Sequence, residues 1–160
     1  MENEKENFWL KWMVKIDIYN ADWTIKEEGK FEHNIITNAW LAALTSLGGW
    51  LGGSAFTYLG VWTSNTAEAA TQTALVAEIV DSWFARKAAT VTQITTSTTN
   101  DTFQLVAIWT ATAWKTIEEI GIFNAGTAWT MLWRKLTWTK TINTWESISA
   151  TYKIIMSRAA

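Results

Sequence analysis

The chain reads as an all-β protein: an antiparallel, jelly-roll-like β-sandwich of about eight strands with one short α-helix near residues 39–47. Three observations predict this class. Several stretches alternate apolar and polar residues with a period of two, the pattern of a half-buried strand. Turn-like segments recur at intervals of about 8–12 residues. No βαβ rhythm, internal repeat or interdomain linker interrupts them.

The elements follow in order. Leu10, Trp12, Val14, Ile16 and Ile18 alternate with Lys11, Met13, Lys15, Asp17 and Tyr19, a strand with one buried face. Asp22-Trp23 turns the chain, and residues 24–36 form a second, more polar strand. Asn38 is the expected cap of the helix, whose apolar stripe is Leu41, Leu44 and Leu47; Gly48-Gly49 stop it. With Gly52-Gly53 following, residues 48–54 form a loop. Residues 56–62 are a short apolar strand, and residues 63–80, which include Ala74, Leu75, Ile79 and Val80, form a loop with at most one helical turn. Residues 84–94 read as one long strand, 95–101 as a polar hairpin tip and 103–112 as the returning strand. Three further strands cover 117–124, 130–137 and 147–157, the last alternating Ile148, Ala150, Tyr152, Ile154 and Met156 against polar neighbours.

The length of 160 residues suits one domain, expected over 9–158, with a charged flexible arm at 1–8 that orders against a neighbour. A chain of this size buries about 70% of its unfolded surface and needs no staples. There is no Cys, hence no disulfide, thiolate metal site or Cys nucleophile. The net charge of −2 is scattered, which argues against nucleic-acid binding and a membrane-surface role. No apolar run reaches the roughly 18 residues of a membrane span, so no membrane insertion is expected. The acidic start, Met1 to Asn7, is unlike a signal peptide.

Residues suited to chemistry do not converge. A lone His33 cannot build a zinc site and reads as a strand-end His. Glu118 and Glu119 are adjacent on a strand and point to opposite faces, so they cannot flank one substrate; one of them is expected to be buried against Arg134 or Lys135. Arg86-Lys87 reads as a solvated strand face or a polar interface. The run Gly48-Gly49-Trp50-Leu51-Gly52-Gly53 lacks the Lys-Ser/Thr ending of a phosphate loop and does not open a helix. No catalytic, cofactor or metal residue is therefore assigned, and an enzyme is not expected.

The composition is odd in one respect. Thirteen residues are Trp, whereas Gly numbers 8 and Pro 0; ordinary usage predicts roughly 11 Gly and roughly 8 Pro. Several Trp stand in turn-like segments: Asn20-Ala21-Asp22-Trp23-Thr24, Thr112-Ala113-Trp114-Lys115, Gly126-Thr127-Ala128-Trp129-Thr130 and Asn143-Thr144-Trp145-Glu146. Such corners favour Asn-Gly or Asp-Gly because they demand positive φ, where a bulky side chain costs about 1–2 kcal/mol. Exposed Trp on a β-face would also suit a carbohydrate-binding module, provided several lie on one face of one sheet.

Six stretches, in order, resemble a family. His33-Asn34-Ile35-Ile36-Thr37-Asn38-Ala39-Trp40-Leu41 is similar to the NLITNAGL stretch of small tailed-phage virion proteins of the tail-fibre-like or head-decoration type. Residues 56–63 resemble their YLAVGTG strand, 70–75 their ATDTAL, and 116–124 their TIREVGLF signature. Met131-Leu132-Trp133-Arg134 is similar to LLAR, and residues 139–147 to KTAGDSLTVTW. The likeness spans residues 12–157 and transfers no site residue. It implies a bacteriophage virion structural protein, located in the particle after assembly in the host cytoplasm. Its implied partners are other copies of itself, as a trimer or higher homo-oligomer, other virion proteins and, for a receptor-binding tip, a host surface glycan. The expected contact surfaces are the loops at 48–54, 63–80 and 95–101.

The departures from that pattern are systematic. At Trp40, Trp62, Trp114 and Trp145 the family has Gly or another small turn residue. Some bacterial lineages and their phages use an alternative genetic code that reads UGA as glycine, and decoding such a gene with UGA as Trp would print this sequence. Trp12 and Trp109, by contrast, fit the apolar face of strands and read as authentic Trp.

Overall fold

The computed structural model describes residues 8–49, 51–52, 54–74, 77–127 and 131–158. Phe8 already belongs to the first strand; the rest of the expected arm, together with Trp50, Gly53, Leu75 and Trp129 of the expected loops and turns, lies outside the described residues.

Among the described residues there are ten strands and one helix: β1 Phe8–Tyr19, β2 Ile25–Glu27, β3 Glu32–His33, α1 Asn38–Gly48, β4 Tyr58–Trp62, β5 Lys87–Ala88, β6 Thr90–Ile94, β7 Thr102–Thr110, β8 Lys115–Phe123, β9 Met131–Ile142 and β10 Ser147–Arg158. They build two antiparallel sheets. One runs β2-β1-β10-β7-β6, with β3 also on β1; the other runs β5-β4-β8-β9. The longest ladder joins β1 to β10, from Phe8 opposite Arg158 to Tyr19 opposite Ser147. No described helix is long and apolar enough to cross a membrane.

Period-two burial closes the sandwich. Trp12, Val14, Ile16 and Ile18 of β1 lie beside Ile148, Ala150, Tyr152 and Ile154 of β10 and Leu105, Ala107 and Trp109 of β7. The same core takes Leu59 and Val61 of β4, Ile120 and Ile122 of β8 and Leu132 of β9 from the other sheet. Aromatic rings knit its centre: Trp12 meets Trp40 edge-on at 4.3 Å and Trp133 at 4.6 Å, and Trp133 meets Tyr152 at 4.9 Å. Aromatic pairs favour such tilted geometries over stacked sandwiches.

Four local expectations are corrected. The second strand, expected over 24–36, is split into β2 and β3. Between them Gly29 approaches Ile16 so closely that a Cβ would stand 2.1 Å from its carbonyl oxygen, and its N–H donates to Asp17 at 2.9 Å rather than to a ladder. The helix cap is Thr37, not Asn38: Thr37 is extended and its hydroxyl accepts from the Trp40 N–H. The stripe Leu41, Leu44, Leu47 is not the buried face of α1, because Trp40 turns inward onto Trp12 with Ala43 and Leu44 beside it, which leaves Leu41 and Leu47 exposed.

The fourth correction concerns residues 84–94. The chain changes sheets at Ala89, so one long strand becomes β5 in the smaller sheet and β6 in the larger. Ala89 donates to Thr57 at 2.8 Å at the crossing. The helical turn allowed within 63–80 is absent among the described residues, which form turns and a single bridge between Trp62 and Glu78.

Candidate functional site

The described Trp residues separate into two populations. Trp12, Trp40, Trp62, Trp109 and Trp133 are buried, whereas Trp9, Trp23, Trp83, Trp114, Trp138 and Trp145 are exposed. Trp109 is anchored by its indole N–H, which donates to Ala85 at 3.0 Å. Those of Trp12, Trp62 and Trp133 are buried with no partner among the described residues, a costly state for a group that normally finds an acceptor.

Two exposed rings share a site. Trp83, 78% exposed, and Trp145, 64% exposed, wall a cleft of about 470 Å³ with Lys87, Thr110 and Thr112. Trp83 lies on the link between β4 and β5, Trp145 on the turn between β9 and β10. The Trp145 turn is held tightly. Trp145 donates its backbone N–H to Ala111 at 2.7 Å, Ala111 donates to Glu146 at 2.9 Å, and Glu146 donates to Asn143 at 3.1 Å. Lys26 grips the Glu146 carboxylate at 2.7 Å. Partial burial works against the charged Glu146, but the Asn143 N–H and the Lys26 ammonium outweigh it and hold its pKa below the ordinary value.

The lining of this cleft combines two indole rings with Thr hydroxyls and a Lys amine. Lys87 already donates to the Ile108 carbonyl at 2.5 Å and has further N–H donors for a ligand. Of the other exposed Trp, Trp9 lies on β1, Trp138 on β9, Trp23 on the turn after β1 and Trp114 on the link between β7 and β8, and none of them lines this cleft.

The acidic pair is resolved by the fold. Glu119 is fully buried and pairs with Arg134, itself 2% exposed, on the neighbouring strand β9. Arg134 also donates to the carbonyls of Thr66 and Ala67 and, at 2.8 Å, to Gln72, while Glu68 accepts from the Leu136 N–H. The pair thus ties residues 64–72 across the outer face of the smaller sheet. Burial lowers the Arg134 pKa, and the charge of Glu68 opposes that shift. Glu118 points the other way and accepts from Thr139 at 3.0 Å.

Arg86 is a correction: it does not sit on a solvated face. Its guanidinium stacks 3.7 Å over the Phe123 ring and bonds Glu78 at 2.8 Å. His33 stands exposed on β3, with no described carboxylate in hydrogen-bond reach. Among the described residues, no three metal-ligating side chains come together.

A second concavity, of about 340 Å³, runs beside α1, where Ala39, Ala43 and Leu47 face Phe56 and Asn124. The spacing of its three helical residues was visible in the sequence, but it was masked by the Leu41-Leu44-Leu47 alternative. The role of Trp83 carried no signal, because residues 81–83 fall between the expected loop at 63–80 and the expected strand at 84–94 and were assigned to neither. Compared with known proteins, the chain matches no family model and no curated sequence.

Proposed function

We propose that the chain is a structural component of a tailed-phage particle, a capsid decoration or tail-fibre-associated protein that works by symmetric self-assembly and attachment. The reading rests on the six stretches that resemble such proteins in order along the sequence; in the fold several of them are in contact. The Asn38 N–H donates to Ala70 at 2.9 Å. The Thr37 hydroxyl donates to Leu132. Gln72 accepts from Arg134 at 2.8 Å, and Glu118 accepts from Thr139 at 3.0 Å. The second, fourth and fifth stretches lie on β4, β8 and β9, three adjacent strands.

The apolar groove beside α1 and the exposed outer strand β6 are the surfaces that suit contact between copies. The test is direct. Purified particles should contain the protein at a stoichiometry of many copies, and the isolated protein should run as a homo-oligomer by light scattering. Absence from density-purified particles would refute the reading.

A second reading, a carbohydrate-binding or receptor-binding module, rests on the cleft between Trp83 and Trp145. Glycan-array binding that disappears in both Trp83→Ala and Trp145→Ala would favour it. Particle association without glycan binding would favour the first.

A further inference from the structure

The backbone shows which tryptophans stand on glycine positions. Five described non-glycine residues have left-handed φ, and three of them are Trp: Trp23 at 65°, Trp83 at 69° and Trp145 at 70°. The others are Ser82 and Asn100. Asn tolerates this region through its short polar side chain, whereas a large ring is a genuine outlier there. Each of the three Trp occupies a defined slot in a defined turn.

At Trp23 the hairpin is closed by Asn20 donating to Thr24 at 2.9 Å, and Trp23 donates back to Asn20 at 3.0 Å. This is the three-residue loop in which a type I turn is followed by one left-handed residue, the glycine of a bulge. At Trp83 the Phe84 N–H closes on the Asp81 carbonyl at 3.0 Å, and both central residues, Ser82 and Trp83, have positive φ. That is a type I′ turn, whose second central residue is typically Gly. At Trp145 the Glu146 N–H closes on Asn143 at 3.1 Å, and only the third residue of the four is left-handed. That is the type II pattern, which calls for Gly at this position.

Three turns of three kinds thus share one anomaly. Exposure does not explain it, since Trp114 and Trp138 are as exposed and are not left-handed. Nor does packing, since all three rings stand largely in solvent. We infer that residues 23, 83 and 145 are glycine in the protein as its natural source makes it, through a UGA codon read there as Gly. The set differs from the four positions that the family likeness picks out. It shares only Trp145: Trp40 is buried in α1, Trp62 is buried in β4, and Trp114 has no left-handed φ.

The inference rests on backbone geometry and not on the particle reading, but it bears on the choice between the two functions. Glycine at 83 and 145 removes both aromatic walls of the cleft. The glycan-binding reading then loses its site, and the particle reading is untouched.

The test has three readouts. The gene should carry UGA at codons 23, 83 and 145; UGG at any of them overturns the proposal. Peptide mass spectrometry of the protein purified from its natural source should find Gly at all three, and Trp at any of them overturns it, whether or not that source is a phage. In the recombinant Trp-containing chain, Trp23→Gly, Trp83→Gly and Trp145→Gly should each raise Tm by about 2–4 °C. Trp138→Gly, at an exposed strand position without left-handed φ, should lower it. A fall in Tm for the three turn variants equal to that of Trp138→Gly also overturns the proposal.

Discussion

The Thr37 hydroxyl donates to the carbonyl of Leu132, and the same oxygen accepts from the Trp40 N–H at 3.3 Å. One side chain therefore starts the helix and fastens it to β9. Both bonds are buried, so losing the hydroxyl orphans the Leu132 carbonyl and leaves the Trp40 N–H with only the Thr37 carbonyl, at 3.2 Å.

Thr37→Val keeps the shape and removes the hydroxyl. It should cost about 2 kcal/mol, through the lost cap and the unsatisfied carbonyl. Thermal unfolding should show a Tm several degrees lower, whereas Thr37→Ser should stay close to the parent. Equal losses for Val and Ser would mean that packing of the methyl group, not the hydroxyl, matters.

Removing one member of the Glu119–Arg134 pair leaves a buried charge without its partner. Glu119→Ala should cost about 3–5 kcal/mol by denaturant unfolding. The double variant Glu119→Leu with Arg134→Met should recover most of that, since apolar groups can replace a buried pair at little cost. Its residues 64–72 should nevertheless exchange amide hydrogens faster, because Arg134 also holds the carbonyls of Thr66 and Ala67. Unchanged exchange in that segment would show that the strap stays in place without the arginine.

Tyr152 predicts behaviour in alkali. Burial pushes its phenol well above the ordinary value of 10.0, the charge of Glu68 adds to this, and the bond from Asn34 opposes it. The folded state thus holds the phenolic proton more tightly than the unfolded chain does. This contribution is complete below the unfolded phenol pKa and is lost as pH rises beyond it. Between about pH 8 and 11, Tm should fall more steeply for the parent than for Tyr152→Phe. The substitution itself should cost little, since the Asn34 contact is 3.4 Å long. Parallel Tm–pH curves would exclude the phenol as the cause.

Asp101 organises the β6–β7 hairpin tip. Its carboxylate accepts the backbone N–H groups of Thr96, Ser97 and Thr98, each at 2.8 Å, which hold its pKa well below the ordinary 3.8. A lowered carboxylate pKa stabilises the fold above the unfolded value, and that stability fades as pH falls through the carboxylate range. Asp101→Asn should speed amide exchange at residues 96–98 at neutral pH and leave β1 and β10 unchanged. Protection equal to the parent at those three amides would show that the tip needs no anion.

The sequence displayed the large elements because their signal is local. The alternation in β1 and β10 is strict, and the burial of Trp12 to Ile18 and Ile148 to Ile154 follows it. The polar tip at 95–101 was legible because Asn and Asp favour turns. The split between β5 and β6 was not, because the jump between sheets at Ala89 leaves no mark in an otherwise strand-like run. Nor was the face of α1: three leucines spaced by three outweighed Trp40, and only the contact with Trp12 decides the rotation. In the candidate cleft, the turn at Trp145 was visible from Asn143 and Glu146. Trp83 was hidden because its turn lacks a glycine to mark it.

Strand β10 sits between β1 and β7, bonded to both along most of its length. During synthesis the two strands that flank it wait with nothing between them, each offering a bare amide edge to whatever is near. The larger sheet can zip only once residues 147–158 have left the ribosome. A ribosome stalled shortly before that point would release a chain with two unpaired margins, prone to aggregate.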